Sequence, residues 1–206
     1  ADTGRGKIRP YTWSGSAWVA GTGLADPLGE AGDDLGGCVS VSGGIVAASA
    51  TGDDSPGAAD AGAVLVFPLG TATPQAEAKI FATSPVAGER FGTSIDLGAS
   101  GAVLVTGSQS FDAGAAVDSG RAYVHVRGAT GWQSVAALEN PTTSGVPEND
   151  LFGSAVAYDG GDLILVGAMG ADGVDGNDGA ADYFQLRNGV WRFAWALAPG
   201  ASPCCE

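Results

Sequence analysis

Residues 150–168 read DLFGSAVAYDGGDLILVGA. Phe152-Gly153 stands just before a short alternating apolar run, Asp159-Gly160-Gly161 marks a turn, and a second apolar run ends on Gly167-Ala168. Alternation, a glycine-rich turn and a second run are the pattern of a β-hairpin. A single hairpin decides little, so the fold turns on whether this one recurs.

It recurs with a fixed period. The Phe-Gly position returns as Leu35-Gly36 in DDLGGCVSVSGG and as Phe91-Gly92 in ERFGTSIDLGAS, giving spacings of 56 and 61 residues up to Phe152. An Asp-x-Gly marker lies between these positions, in Asp2-Thr3-Gly4, Asp60-Ala61-Gly62 and Asp118-Ser119-Gly120, varied to Asn177-Asp178-Gly179; its glycines are 58, 58 and 59 apart. Tryptophan is the third marker: Trp18 and Trp132 are 114 residues apart, two periods, and Trp191 follows after 59. Each unit reads as four short strands, A to D. Strand A follows the Phe-Gly, B follows a Gly-containing turn, C follows the Asp-x-Gly, and D carries the tryptophan or its substitute. Four-stranded units repeated radially are β-propeller blades. The aromatic of Phe-Gly is expected to wedge between neighbouring blades, and the Gly to allow close backbone approach or a positive φ.

Composition agrees with an all-β fold. Among 206 residues there are 35 glycines and a single Met, with an apolar fraction of 45% that is ordinary for a folded chain. Net charge is −14, from 23 acidic and 9 basic residues. That balance argues against nucleic acid, which needs a basic footprint, and favours cations or basic partners. No run approaches the roughly 20 apolar residues that cross a bilayer, and ADTGRGKIRP carries no apolar export core.

With Phe91-Gly92-Thr93-Ser94-Ile95, Phe152-Gly153-Ser154-Ala155-Val156 and Val166-Gly167-Ala168 in place, the chain resembles the FG-GAP repeat family, the integrin α-subunit type of β-propeller. Met169 stands where that family usually has proline, and VTGS at 105–108 and AASA at 47–50 are looser matches. The resemblance implies an extracellular or cell-surface binding module of the adhesion type, whose loops on one face contact a protein or glycan. It also implies calcium loops between strands A and B. Here those turns are SVSGGIV, DLGASGAV and AYDGGDL, with too few carboxylates for a cage of six to eight oxygens. The simplicity of the repeat points to a bacterial source.

The units divide the chain into a half blade (1–30, strands C and D), three blades (31–86, 87–146, 147–199) and a Cys-containing tail (200–206), all one propeller domain of about three and a half blades. An open arc leaves strand edges unpaired, so an upstream segment or another chain is expected to complete the ring. Open ends stacking head to tail into a filament is the alternative.

Few residues suggest chemistry. The loop 170–182, GADGVDGNDGAAD, brings Asp172, Asp175, Asn177, Asp178 and Asp182 together, enough oxygens for one calcium ion. A solvated, turn-forming Asp/Gly loop is the competing reading. Cys38 takes the Ser position of the Phe-Gly motif, and Cys204-Cys205 lie in the tail; an odd total leaves at least one thiol free or bonded to another chain. Disulfide pairing among Cys38, Cys204 and Cys205 would suit an extracellular setting. His125, the only histidine, has no nucleophile elbow beside it, and no Walker loop exists. The sequence therefore predicts a non-enzymatic binding or adhesion scaffold, with a structural subunit of a surface filament or multi-chain assembly as the alternative.

Overall fold

The computed structural model describes residues 4–70, 75–141, 148–172 and 178–197. Among these there are strands, turns and bridges but no helix. A two-stranded sheet comes first, β1 (Tyr11–Trp13) and β2 (Trp18–Ala20). The first blade is β3 (Val39–Ser42), β4 (Ile45–Ala50), β5 (Ala63–Pro68) and β6 (Ala78–Ile80). The second is β7 (Ser94–Leu97), β8 (Val103–Ser108), β9 (Arg121–Gly128) and β10 (Gly131–Glu139), and the third is β11 (Phe152–Tyr158), β12 (Leu163–Ala168), β13 (Ala180–Arg187) and β14 (Val190–Leu197). Each blade is an antiparallel meander in chain order, A to D.

Register makes the blades superimposable. Ala48 pairs with Leu65, Thr106 with Tyr123, and Val166 with Asp182, the strand-C partner in each case lying three residues after Gly62, Gly120 or Gly179. Two residues further along strand C stand Phe67, His125 and Phe184. These positions face the preceding blade.

Burial reports which sheet faces are covered. β4, with a neighbour on each side, is buried along its whole length, whereas β12 alternates because only one of its faces meets another blade. β14 is exposed at seven of its eight residues. The core is accordingly a series of junctions. Leu24 and Leu35 pack on Ala48, Leu65 and Phe67 of the first blade. Phe91 and Tyr123 pack on Ile45, Val64 and Val66. Phe152, Ile164, Val166 and Phe184 pack on Val105, Val124 and Leu138. Phe91 and Phe152 are fully buried between blades, which is the wedge expected of the Phe-Gly motif.

The glycine of that motif serves a backbone need. Gly92 and Gly153 have φ of 91° and 90°, and a Cβ on Gly153 would lie 2.5 Å from the Arg121 carbonyl oxygen. The Asp-x-Gly marker requires one correction. The glycine that stands against the Phe-Gly position is Gly62 for Phe91 and Gly120 for Phe152, but for Leu35 it is Gly6. Backbone N–H groups of Leu35, Phe91 and Phe152 donate to the carbonyls of Arg5, Ala61 and Ser119, the residues just before those glycines, at 3.1, 2.7 and 3.1 Å. Gly6 to Gly62 is 56 residues, the same as Leu35 to Phe91, so the marker in the first unit lies two residues later than its Asp-x-Gly spelling suggests.

Candidate functional site

In an antiparallel meander the B–C and D–A loops lie at one end of every blade. Here they interlock across the junctions, as the Gly62–Phe91 and Gly120–Phe152 approaches record. The B–C loops share one internal design. Asp54 Oδ1 accepts the Asp60 N–H at 2.8 Å, and Asp112 Oδ1 accepts the Asp118 N–H at 2.8 Å. Ser55 and Ala58, and likewise Ala113 and Ala116, form a bridge across each loop. These aspartates close turns on themselves. The loop end therefore presents Asp54, Asp112 and Asp172 exposed at corresponding places in successive blades, with Asp34 and Asp60 exposed beside them. Asp34, Asp60 and Asp118 occupy the left-handed region, with φ of 56°, 51° and 50°, which Asp and Asn tolerate better than other side chains.

Beneath this surface each junction buries an acid two residues before the Phe-Gly position: Asp33, Glu89 and Asp150. Nothing in the sequence pattern flags them as a set, because Asp and Glu alternate among many other acids. In the first junction Asp33 Oδ2 accepts the Glu30 N–H at 2.6 Å. Beside it, Lys79 Nζ bridges Asp26 at 2.9 Å and Asp53 at 2.5 Å. Burial pushes the Asp53 carboxyl up, with the Lys79 partnership opposing. For Lys79 burial disfavours the charge, but its two carboxylate partners raise it above the ordinary lysine value.

In the second junction Glu89 is fully buried, and its carboxylate accepts the Val86 N–H at 2.8 Å, the Ser108 hydroxyl at 3.2 Å and the Tyr123 hydroxyl at 3.4 Å. Burial raises Glu89, and burial with the Glu89 charge raises Tyr123. His125 lies edge-on to Phe91, ring centroids 5.6 Å apart, and burial lowers its pKa to about 4. In the third junction Asn140 Nδ2 donates to Asp150 Oδ2 at 2.7 Å. Asp182 is 2% exposed, and burial followed by the Asp150 charge raises it to about 6.

The acids read from sequence as a calcium loop fall at different places in the described structure. Asp182 belongs to strand β13 and faces the preceding blade, while Asp172 is exposed on the loop and Asp178 is half-buried. Asp175 and Asn177 lie outside the described residues. Among the described residues no group of three or more His, Cys, Asp or Glu side chains is placed to hold a metal ion. Cys38 is half-buried, has no disulfide partner among the described residues, and its backbone N–H donates to Ser49 Oγ at 2.8 Å; Cys204 and Cys205 lie outside the described residues. The strand-D tryptophans split in role: Trp132 and Trp191 pack into junctions, whereas Trp18 is exposed against Trp13, ring centroids 5.5 Å apart. His125 is buried, and its register with Phe67 and Phe184 is the signal that places it in a junction.

Comparison with known proteins agrees with this architecture. No curated protein matches the chain. A crystal structure of a functionally unknown protein from Desulfotomaculum acetoxidans DSM 771 superposes with a TM-score of 0.55 at 9% identity, over 98% of this chain and 49% of that one. That likeness concerns the fold, and the chain spans about half the length of the solved structure. Residues 132–183 match the FG-GAP repeat family. The matched segment runs from β10 through β13, so it is centred on a blade junction, with Phe152 inside it. The chain is thus an all-β protein of propeller-type blades that carries an FG-GAP repeat.

Proposed function

We propose that this protein is a non-enzymatic, extracellular binding scaffold of the adhesion type, and that its B–C and D–A loops form the contact surface for a basic region of a protein partner. The observation that carries this reading is the repeated, internally braced loop end, with exposed aspartates at the same place in successive blades. A rigid array of like charges attracts a complementary surface and speeds encounter with it. The FG-GAP repeat supports a binding scaffold; adhesion and an extracellular site are the finer parts of the proposal.

The test replaces Asp34, Asp60 and Asp118 together by Asn, which keeps the left-handed backbone and removes three charges. Binding of the fluorescent protein to immobilised cationic peptides is expected to fall at least tenfold at low salt, with the melting temperature unchanged. Equal binding by the triple variant, or binding insensitive to salt, would overturn the acidic face as the contact surface.

A second reading, assembly through open blade faces, has its own observation. Val39 and Val41 at one end, and Trp195 and Leu197 at the other, are 49–67% exposed on sheet faces whose counterparts inside the molecule are covered by neighbouring blades. Sedimentation of the Val41→Asp and Trp195→Asp variants distinguishes the readings, because assembly through these faces would be lost in both.

A further inference from the structure

Two grooves of equal size run between the outer strands of neighbouring blades. One lies between β6 and β10 and the other between β10 and β14, each enclosing about 530 Å³. Both border the β-bulge between Ser134 and Ala136 on β10. Both arise where successive outer strands meet, and their linings differ. The β10–β14 groove is lined by Val126, Val135, Leu186, Val190 and Trp191. The β6–β10 groove is lined by Phe81, Thr83, His125, Trp132, Gln133 and Ser134 among others.

His125 is the decisive difference. It is 1% exposed, and neither Nδ1 nor Nε2 has a hydrogen-bond partner among the described residues. The equivalent positions hold Phe67 and Phe184, which fill the same space with no polar atom to satisfy. A buried imidazole without partners is less stable than a satisfied one, so packing alone favours Phe here. The ring offers one donor and one acceptor in its neutral form, and no described residue uses either of them.

Charge narrows the ligand. Lys79, at the groove, is held by Asp26 and Asp53, and Glu77 beside it is held by Arg127 at 2.6 Å and by the Trp132 indole N–H at 3.4 Å. With its rim charges paired inside the protein, the groove offers aromatic surface, hydroxyls, an amide and a neutral imidazole. The lining is polar and apolar in about equal measure, with aromatic surface beside convergent polar groups, and its volume lies within the usual range for small-ligand sites.

We propose that the groove between β6 and β10 is a binding site for a small neutral polyhydroxylated ligand of the sugar class, with Trp132 and Phe81 offering apolar surface to the ring and His125, Gln133 and Ser134 hydrogen-bonding its hydroxyls. The site is separate from the acidic loop face and does not depend on it.

The chain has a single histidine, so one imidazole spin system reports on the floor of the groove. The experiment titrates ¹⁵N-labelled protein with methyl glycosides of glucose, galactose, mannose, fucose and N-acetylglucosamine, with benzoate and inorganic phosphate as charged probes. At least one glycoside is expected to shift the His125 imidazole and Trp132 indole signals saturably while leaving Trp191 unmoved. His125→Phe is expected to remain folded, by circular dichroism and melting temperature, and to bind at least tenfold more weakly. Three results would overturn the proposal: no glycoside moves the imidazole, the anions move it and the glycosides do not, or His125→Phe binds as tightly as the parent.

Discussion

The second and third blade junctions are built on one backbone plan and carry opposite chemistry. Where the second places Tyr123 and His125, the third places Asp182 and Phe184, at matching positions of strand C. In the second the buried acid Glu89 receives the tyrosine hydroxyl, and the histidine sits without partners. In the third the acid Asp150 faces a second carboxyl, that of Asp182. The repeat therefore fixes a slot for a buried polar group without fixing the sign of its charge. What it does fix is the aromatic wedge, Phe91 in one junction and Phe152 in the other, each fully buried.

The largest effect expected is common to both junctions. Phe91→Ala and Phe152→Ala each remove a buried ring and leave a cavity between blades, at a cost of about 3–5 kcal/mol by chemical denaturation. A loss under 1 kcal/mol in either would mean that the blades pack independently of the wedge.

Protonation separates the two junctions. His125 titrates near 4 in the folded state and near 6.5 unfolded, so the unfolded chain takes up the proton first as the medium acidifies. Its contribution to stability is complete above pH 6.5 and is lost as pH falls towards 4, by roughly 3 kcal/mol. Glu89 and Tyr123 lie on one side of this ring and Lys79 lines the same groove. Burial alone accounts for the shift. His125→Phe should abolish this acid loss and raise the melting temperature most at pH 4–5. An unchanged pH profile would mean that the ring is already solvated.

Asp182 works in the other direction and with a somewhat smaller effect. Its folded value of about 6 lies above the unfolded 3.8, so its junction is most stable with the carboxyl protonated at low pH and loses stability as pH rises through 6. Asp182→Asn, similar in shape and never charged, should stabilise the protein at pH 7 by roughly 2 kcal/mol and leave it unchanged at pH 3.5. Destabilisation at pH 7 would show that the ionised carboxylate has a partner. Between pH 4 and 6 the two junctions offset one another, so the parent profile should be flatter than that of either variant.

The part of this plan that was legible in the sequence is the part that the backbone imposes. Phe-Gly is readable because the wedge needs an aromatic and the next residue must adopt a positive φ; Leu35 marks where the pattern weakens but the geometry persists. Gly6 was hidden because the spelling Asp-x-Gly drew attention to Gly4, while the true constraint is a Cβ-free approach to the Leu35 backbone. The junction acids and His125 were illegible for another reason. Their meaning comes from facing a neighbouring blade some 60 residues away, and in a chain with 23 acidic residues no single carboxylate stands out. Asp182 shows this most plainly: it reads as part of a calcium loop, yet its strand carries it into a junction with Asp150.

The ties at Gly6, Gly62 and Gly120 join main chain to main chain, and no side chain takes part in them. The loop end consequently behaves as a plate of constant pitch. Substitutions can rewrite the lettering on its surface while the spacing between letters stays put, so a new recognition surface is reached by changing residues in register across blades without disturbing the frame that displays them.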